Sequence, residues 1–202
     1  MYDVLIVGGG VAGISCALVL GSAVKKPFVA DKRIAILTHQ KGSSLQNALF
    51  NNAYGIPPGK TGAELLAESV ENLRNLYPHV VQIPNEKVLK VEGVDGNFTI
   101  TTNKSTYKAK LLVIAVGYAN TFMIEGLMQY VIPHDKSNPD KNRIQLANED
   151  HKVADGIYVA GNLAGWRSQL AIAAGSGASV ATDILTLWND GGHAMSHDKV
   201  SL

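Results

Sequence analysis

The first apolar segments of the chain alternate between strand-like and helix-like patterns. The run Tyr2–Val7 is short and almost continuously apolar, which is typical of a strand buried on both faces. Small and apolar residues resume at helical spacing over residues 11–20, and a polar connection then leads to a second short apolar run, Ile34–Thr38. The chain is therefore expected to begin with a strand, a helix and a strand.

A second helix is predicted from its start signal. Thr61 precedes a helical pattern, and Glu64 stands three residues further on, at the spacing of a capping box. The apolar residues that follow recur at helical intervals: Leu66, Val70, Leu73 and Tyr77. We interpret this helix as structural, with a solvated polar face.

Between residues 80 and 117 the pattern changes to strands. Val88–Val94 and Asn97–Thr102 flank Asp95-Gly96, which is a strong signal for a β-hairpin. Residues 111–117 form an unbroken apolar run, which predicts a central parallel strand covered on both faces. Together they predict an antiparallel meander that crosses back into the main sheet.

The remainder of the chain carries one clear strand and one clear helix. Residues 119–152 predict a short helix or an irregular cover with a polar loop at 136–142, and their apolar positions are Phe122, Ile124, Leu127, Met128 and Val131. Residues 156–162 predict a buried strand that ends in a Gly-Asn turn, and a small-residue helix follows over residues 169–187.

These elements predict an α/β fold, a Rossmann-like domain whose central parallel sheet is flanked by helices and crossed by a small antiparallel β-meander. A length of 202 residues and a hydrophobic content of 46% suit one domain, which we place at residues 1–189, followed by a flexible polar tail at 190–202.

Composition narrows the class of ligand. A net charge of +1 and only 17% charged residues exclude the basic field of a nucleic-acid-binding protein, so the ligand is expected to be small. Cys16 is the single cysteine, which excludes an intramolecular disulfide, a CxxC pair or a cysteine-rich metal site within these residues. His193 and His197 are interpreted as solvated residues rather than metal ligands. No signal-peptide pattern precedes the first strand and no apolar run is expected to reach membrane-spanning length, so a cytoplasmic protein is predicted.

The glycines after the first strand carry the main chemical signal. In the pattern GxGxxG, Gly8 makes the turn, Gly10 lets a diphosphate approach the backbone, and Gly13 lets the helix pack closely on the strand. Val11 and Ala12 open the helix, whose N-terminal N–H groups favour an anion. The strand–turn–helix context predicts a dinucleotide site, although the motif alone does not distinguish FAD from a nicotinamide cofactor.

The end of the second strand departs from the usual dinucleotide pattern. An acidic residue often closes this strand and binds the adenosine ribose, whereas Thr38 and His39 occupy the place here. His39 is either a ribose contact or a surface histidine. The polar stretches 40–45 and 51–59 are expected to form loops that line an extended cofactor.

Three stretches together resemble one family. They are the turn at residues 8–13, the strand end Ala115-Val116-Gly117, and residues 156–162 before a small-residue helix. The chain is similar to the thioredoxin reductase-like branch of the FAD-dependent pyridine nucleotide-disulfide oxidoreductases, from its first residue to about residue 187. The resemblance implies FAD as cofactor.

The resemblance also implies positions for the FAD contacts. Asn162 takes the place of an aspartate that binds the ribityl chain, and it can still accept a hydrogen bond without the charge. Val88 stands where a strand backbone meets adenine, or is an ordinary strand residue. The full set of expected cofactor contacts is Gly8, Gly10, Val11, Ala12, Gly13, Thr38, Lys41, Ser44, Leu45, Asn52, Val88, Ala115, Gly117, Gly161, Asn162, Gln169, Leu170 and Ala171.

Two features of that family have no counterpart in these residues. The nicotinamide-binding domain with its own GxGxxG motif and the redox CxxC pair are both absent from the sequence. We therefore expect a minimal single-domain FAD-dependent oxidoreductase that passes electrons to or from a small molecule, oxygen or a partner protein. A non-catalytic or partner-dependent FAD-binding subunit is the alternative, and a small nicotinamide-dependent dehydrogenase is a third.

Neither a catalytic acid or base nor the substrate is identifiable from the sequence. Trp166 and Arg167, between the Gly-Asn turn and the last helix, are interpreted either as shaping the approach to the flavin or as rim residues. A surface that the inserted domain covers in the family is left open here, which predicts a homodimer.

Overall fold

A computed structural model describes residues 1–39 and 43–198 of the chain. Its α-helices are α1 (Val11–Ser22), α2 (Gly62–Leu76) and α3 (Leu170–Trp188). Its strands are β1 (Tyr2–Val7), β2 (Ile34–Thr38), β3 (Leu49–Phe50), β4 (Lys60–Thr61), β5 (Val81–Pro84), β6 (Val88–Val94), β7 (Asn97–Thr102), β8 (Thr106–Ile114), β9 (Val131–Pro133), β10 (Ile144–Leu146), β11 (Lys152–Ala154) and β12 (Ile157–Val159).

Five parallel strands form the centre of the molecule. The main sheet has the order β11-β12-β8-β1-β2-β5, and all neighbours from β12 to β5 are parallel. β6, β7 and β8 form an antiparallel meander, and β8 is also the central strand that pairs with β1. The expected Rossmann-like α/β fold and its β-meander crossover are thereby confirmed.

The sheet separates two apolar cores because successive side chains of a strand point to opposite faces. On one face, Val4 and Ile6 pack with residues of all three α-helices. On the other face, Leu5 and Val7 pack with the meander and with the cover over residues 122–131. Each of these four β1 residues is at most 3% exposed, so β1 is buried on both faces as its unbroken apolar run predicts.

The capping box at the start of α2 is formed as predicted. The Thr61 hydroxyl accepts from the backbone N–H of Glu64, and the Glu64 carboxylate accepts from the backbone N–H of Thr61 at 2.8 Å. Leu66 and Leu73 are buried, and Leu73 packs α2 into the same core as residues of α1.

The cover at residues 119–152 contains no α-helix. It consists of short 3-10 turns and an antiparallel hairpin of β9 and β10. The predicted cover is right for Phe122, Ile124 and Leu127, which are buried, whereas Met128 is 40% exposed. β8 also ends at Ile114, three residues before the end of the apolar run, because residues 115–117 turn away to form the edge of a cavity.

By length and composition, α3 is apolar enough to cross a membrane, so the expectation that no segment reaches this length was wrong. Its apolarity has a local reason, since α3 packs directly on α1. A Cβ at Gly177 would lie 1.9 Å from the backbone oxygen of Ala12, so only glycine permits this approach. Val180 and Ile184 of the same helix are fully buried in the core.

The described part of the C-terminal segment lies against the domain. Ala194 is 5% exposed and belongs to the helix-side core, and the Tyr77 hydroxyl donates to the Asp198 carboxylate. That hydrogen bond, with partial burial, raises the pKa of Tyr77 to about 12. Residues 190–198 are irregular in backbone conformation.

Candidate functional site

The glycine turn after β1 has the geometry that its sequence predicts. Gly8 has a φ of +121°, and a Cβ there would lie 2.4 Å from the backbone oxygen of Ala115. A Cβ at Gly13 would lie 1.8 Å from the backbone oxygen of Gly8. These two glycines therefore serve the turn and the close packing of α1 on β1.

Gly10 serves a different purpose from its two neighbours in the motif. Its φ is −79°, which any residue adopts, and no atom of the other described residues lies within 4 Å of the position that a Cβ would occupy. The space beside Gly10 belongs to a cavity of about 790 Å³. Glycine here leaves room for a ligand to approach the backbone, which fits a dinucleotide diphosphate.

This cavity lies at the carboxyl ends of the parallel strands. Its walls include Val7 at the end of β1, Leu37 of β2, Ala115 after β8 and Ala160 after β12. A crevice outside the carboxyl ends of the strands is where open α/β sheets bind their ligands. A volume of about 790 Å³ lies in the ordinary range for small-molecule and cofactor sites.

Two helices begin at the same cavity without a side-chain cap. Gly10 precedes α1 and Gln169 precedes α3, and neither N-cap residue forms a side-chain hydrogen bond to its helix. The first turn of each helix contains no acidic residue. Two positive helix ends therefore face one cavity, which favours an anionic or strongly polar ligand.

Most of the predicted cofactor residues line this cavity together. They are Gly8, Gly10, Val11, Ala12, Ser44, Leu45, Val88, Ala115, Gly117, Gly161, Asn162, Gln169 and Leu170. Four others lie outside its lining: Gly13, Thr38, Asn52 and Ala171. Gly13 acts through helix packing and Thr38 is a nearly buried residue of β2, while Asn52 and Ala171 are exposed. Lys41 lies outside the described residues.

Sequence reasoning missed several lining residues that come from distant segments. They include the charged residues Glu86, Lys87 and Arg143, and His39, for which the sequence left a ribose contact and a surface position open, lines the cavity with them. Phe50 and residues 121–124 add apolar wall. None of these positions carries a motif, because they reach the cavity through the sheet order and the β9–β10 hairpin. His39 was the one position whose place after a strand end gave a signal.

A cluster of hydrogen-bonded side chains holds the Gly161-Asn162 turn in place. The backbone N–H of Gly161 donates to the Ser176 hydroxyl at 2.8 Å, and that hydroxyl lies 2.9 Å from Nε2 of His151. The indole N–H of Trp166 donates to the same His151 nitrogen at 3.2 Å. Because an indole N–H can only donate, Nε2 of His151 accepts this hydrogen bond.

A second histidine holds the other residue of the turn. His134 is 7% exposed, and its Nε2 lies 3.0 Å from the backbone oxygen of Asn162. Its Nδ1 accepts from the backbone N–H of Lys136 at 3.1 Å, so Nε2 carries the proton and donates to Asn162. Both peptide groups of the turn are thus fixed by buried side chains.

Trp166 and Arg167 lie at the rim on this side. Trp166 is 41% exposed, stacks on His151 with ring centroids 6.0 Å apart, and has the Lys136 ammonium 4.4 Å from its ring centroid. Arg167 contacts the Lys136 backbone oxygen at 3.5 Å. Neither Trp166 nor Arg167 lines the cavity, which favours their interpretation as rim residues.

Comparison with known protein families identifies the family of the chain. The family model described as pyridine nucleotide-disulphide oxidoreductase matches residues 2–165. The chain belongs to this family. The oxidoreductase family match runs from β1 through the Gly161-Asn162 turn, and the start of α3 lies beyond it.

The relatives agree with this family assignment. The chain is 32% identical over 118 residues to the ferredoxin–NADP reductase of Streptococcus equi subsp. zooepidemicus, a match that covers 57% of this chain and 34% of that protein. It thus spans about a third of the length of the curated relatives that it matches.

Solved structures share the fold at low sequence identity. A thioredoxin reductase from Gloeobacter violaceus superimposes with a TM-score of 0.72 at 14% identity, covering 99% of both chains. A ferredoxin-flavin thioredoxin reductase from Clostridium acetobutylicum gives 0.66 at 19% identity, covering 93% of this chain and 98% of that one. These structures show the fold of the chain, and the family match shows that it belongs to the pyridine nucleotide-disulphide oxidoreductases.

Proposed function

We propose that this chain binds FAD and acts as a minimal single-domain FAD-dependent oxidoreductase. The observation that carries the proposal is the meeting of two uncapped helix ends, before α1 and before α3, at one cavity of about 790 Å³. A dinucleotide with a central diphosphate and a flavin that gains negative charge on reduction suits two such ends.

Residues at the starts of α1 and α3 bind different parts of FAD. The open space at Gly10 and the N–H groups that start α1 receive the diphosphate. Asn162 and the start of α3 receive the ribityl and ring portions, and the buried hydrogen bonds of Ser176 and His134 fix the turn that presents Asn162. When bound, FAD supplies the redox-active ring, and the protein supplies orientation and electrostatics.

The acid that usually binds the adenosine ribose is missing from the end of β2. His39 stands there instead and lines the cavity, so it is the residue we assign to the ribose hydroxyl groups. Val88 also lines the cavity, at the start of β6, in agreement with an adenine contact of its backbone. These contacts favour FAD over the nicotinamide-only alternative, which has no use for the Asn162 turn.

Electron donor, acceptor and location are part of the same proposal. A small-molecule or protein partner exchanges electrons with the flavin directly, and we place the protein in the cytoplasm. A homodimer is proposed because large apolar side chains are exposed on the surface, including Leu49 and Tyr54. A monomeric mass in light scattering at micromolar concentration would contradict the dimer.

The proposal is tested with the purified chain under anaerobic conditions. We expect bound flavin with a yellow spectrum, and bleaching of that spectrum within seconds after NADH or NADPH is added. Bleaching only after a cellular extract is added would instead establish the partner-dependent subunit. Protein that neither retains FAD nor rebinds it after reconstitution would overturn the flavin proposal.

A further inference from the structure

Arg143 lines the cavity, although it belongs to none of the sequence motifs that indicate the family. It precedes β10, and its backbone oxygen accepts from the backbone N–H of His134 at 3.0 Å. The next residue, Ile144, donates its backbone N–H to the oxygen of Tyr118 at 3.1 Å. The hairpin of β9 and β10 therefore carries the Arg143 side chain to the segment that follows Gly117, where it lines the cavity.

The guanidinium of Arg143 lacks a counter-charge in the described part of the chain. No carboxylate among the described residues lies within 4.0 Å of it, and its Nε is buried without a hydrogen-bond partner. Lys60, Lys90 and Lys110 each pair with a carboxylate. A buried, unpaired donor of a charged group is costly, so this position is one that a bound anion would stabilise.

The single carboxylate among the described cavity residues is already engaged. Glu86 accepts from the Thr102 hydroxyl at 2.6 Å and from the Tyr107 hydroxyl at 2.9 Å. The hydrogen bond from Thr102, and to a smaller extent that from Tyr107, lowers the pKa of Glu86. Its carboxylate therefore stays ionised. It does not neutralise Arg143.

Aromatic packing fixes the position of the guanidinium. The Arg143 guanidinium carbon lies 5.0 Å from the ring centroid of Tyr118. Tyr118 meets the ring of His134 edge-on at 5.3 Å, and His134 donates to the backbone oxygen of Asn162. Stacking uses the face of the guanidinium and leaves its in-plane N–H groups for a ligand.

We infer that Arg143 is an oxyanion-binding residue of this cavity, which pairs with a phosphoryl or carboxylate oxygen of its ligand. The inference rests on the proposed flavin site. The oxyanion belongs either to the diphosphate of the bound dinucleotide or to a separate anionic substrate beside the flavin. A planar, preorganised guanidinium suits either, because it donates two parallel hydrogen bonds to such a group.

The test compares Arg143→Met with Arg74→Met, a charge-matched control on the exposed side of α2. Apoprotein of the full chain is titrated with FAD and with riboflavin, which lacks phosphate, and flavin fluorescence is measured. If the diphosphate is the source, Arg143→Met weakens FAD binding about tenfold or more and leaves riboflavin binding unchanged. If a second anion is the source, inorganic pyrophosphate perturbs the flavin spectrum of the loaded wild type but not of Arg143→Met.

Two results would overturn the inference. One is an Arg143→Met protein that matches Arg74→Met in both arms, and the other is an equal loss of FAD and riboflavin affinity, which would reflect packing. Arg143→Lys retains the charge and is used if the Met variant fails to fold, with a smaller, FAD-selective loss expected. A wild-type chain that binds neither flavin would instead overturn the flavin site itself, and the inference with it.

Discussion

The hydroxyl oxygen of Ser176 lies 2.8 Å from the backbone nitrogen of Gly161. A buried side chain in the second turn of α3 thus holds the peptide that begins the Gly161-Asn162 turn, and its hydroxyl also lies 2.9 Å from Nε2 of His151. The turn that presents Asn162 to the cavity is therefore fixed from the helix behind it.

Ser176→Ala is expected to destabilise the fold by about 1–3 kcal/mol, because the buried N–H of Gly161 loses its acceptor. FAD affinity is expected to fall as well, since the turn is no longer fixed. Urea unfolding and flavin titration measure the two effects. Ser179→Ala on the same helix is the matched control, and equal behaviour of the two variants would refute the role of Ser176.

The two glycines of the fingerprint should respond in opposite ways to alanine. Gly10→Ala is expected to retain the thermal stability of the apoprotein, because its Cβ meets nothing within 4 Å, and to lose affinity for FAD. Gly13→Ala places a Cβ 1.8 Å from the Gly8 oxygen and is expected to cost more than the about 1–3 kcal/mol of ordinary overpacking. Calorimetry of both apoproteins checks this, and unchanged FAD binding by Gly10→Ala would contradict the placement of the diphosphate.

Cys16 is expected to be chemically silent in the folded protein. It is a residue of α1 that is 0% exposed in the helix-side core, and burial raises the pKa of its thiol, so almost no thiolate forms at neutral pH. A thiol-specific disulfide reagent should label less than a tenth of the native chain over minutes and all of it in guanidinium chloride. Asn72→Cys on the exposed face of α2 supplies a reactive control. Rapid stoichiometric labelling of native wild type would contradict the buried position.

The capping box makes part of the stability depend on pH. Hydrogen bonds from the hydroxyl and backbone N–H of Thr61 lower the pKa of Glu64 below its usual 4.5. A depressed folded-state pKa contributes stability above the unfolded value that is lost as pH falls through the folded value. Glu64→Gln should therefore unfold at lower urea than wild type at pH 7, and the difference should shrink below about pH 4.

Two further variants are compared in that pH experiment. Glu71→Gln, on the exposed face of the same helix, should show no comparable change between the two pH values. Thr61→Ala removes the cap itself and is expected to cost about 1 kcal/mol at pH 7. A Glu64→Gln difference that grows as the solution is acidified would have the wrong sign for this mechanism.

Local signals predicted much of the fold because they concern neighbours in sequence. The apolar run Tyr2–Val7 and the capping box at Thr61 are features of adjacent residues, and both are present as predicted. Asp95-Gly96 likewise joins β6 to β7, since the turn chemistry is contained in the two residues themselves. The cover at 119–152 lacked such signals, so its hairpin of β9 and β10 was not found.

The residues of the candidate site were likewise predicted mainly where a local motif marks them. Gly8, Gly10 and Asn162 were identified from motifs, whereas Arg143 and Glu86 were not, because nothing in their local sequence indicates a ligand. Asn52 was expected from the resemblance to contact the cofactor, but it lies outside the cavity lining on an exposed segment.

By itself the sequence determined the elements and the glycine turn, because apolar periodicity and the steric demands of glycine act over a few residues. Only the tertiary structure decided that the helix start at Gly10 and the helix start at Gln169 open into one cavity. Their meeting depends on β8 lying between β1 and β12 in the sheet, a long-range pairing set by the burial of both faces. The same long-range packing brings Arg143, which has no carboxylate partner among the described residues, to that cavity, and no local pattern could indicate this.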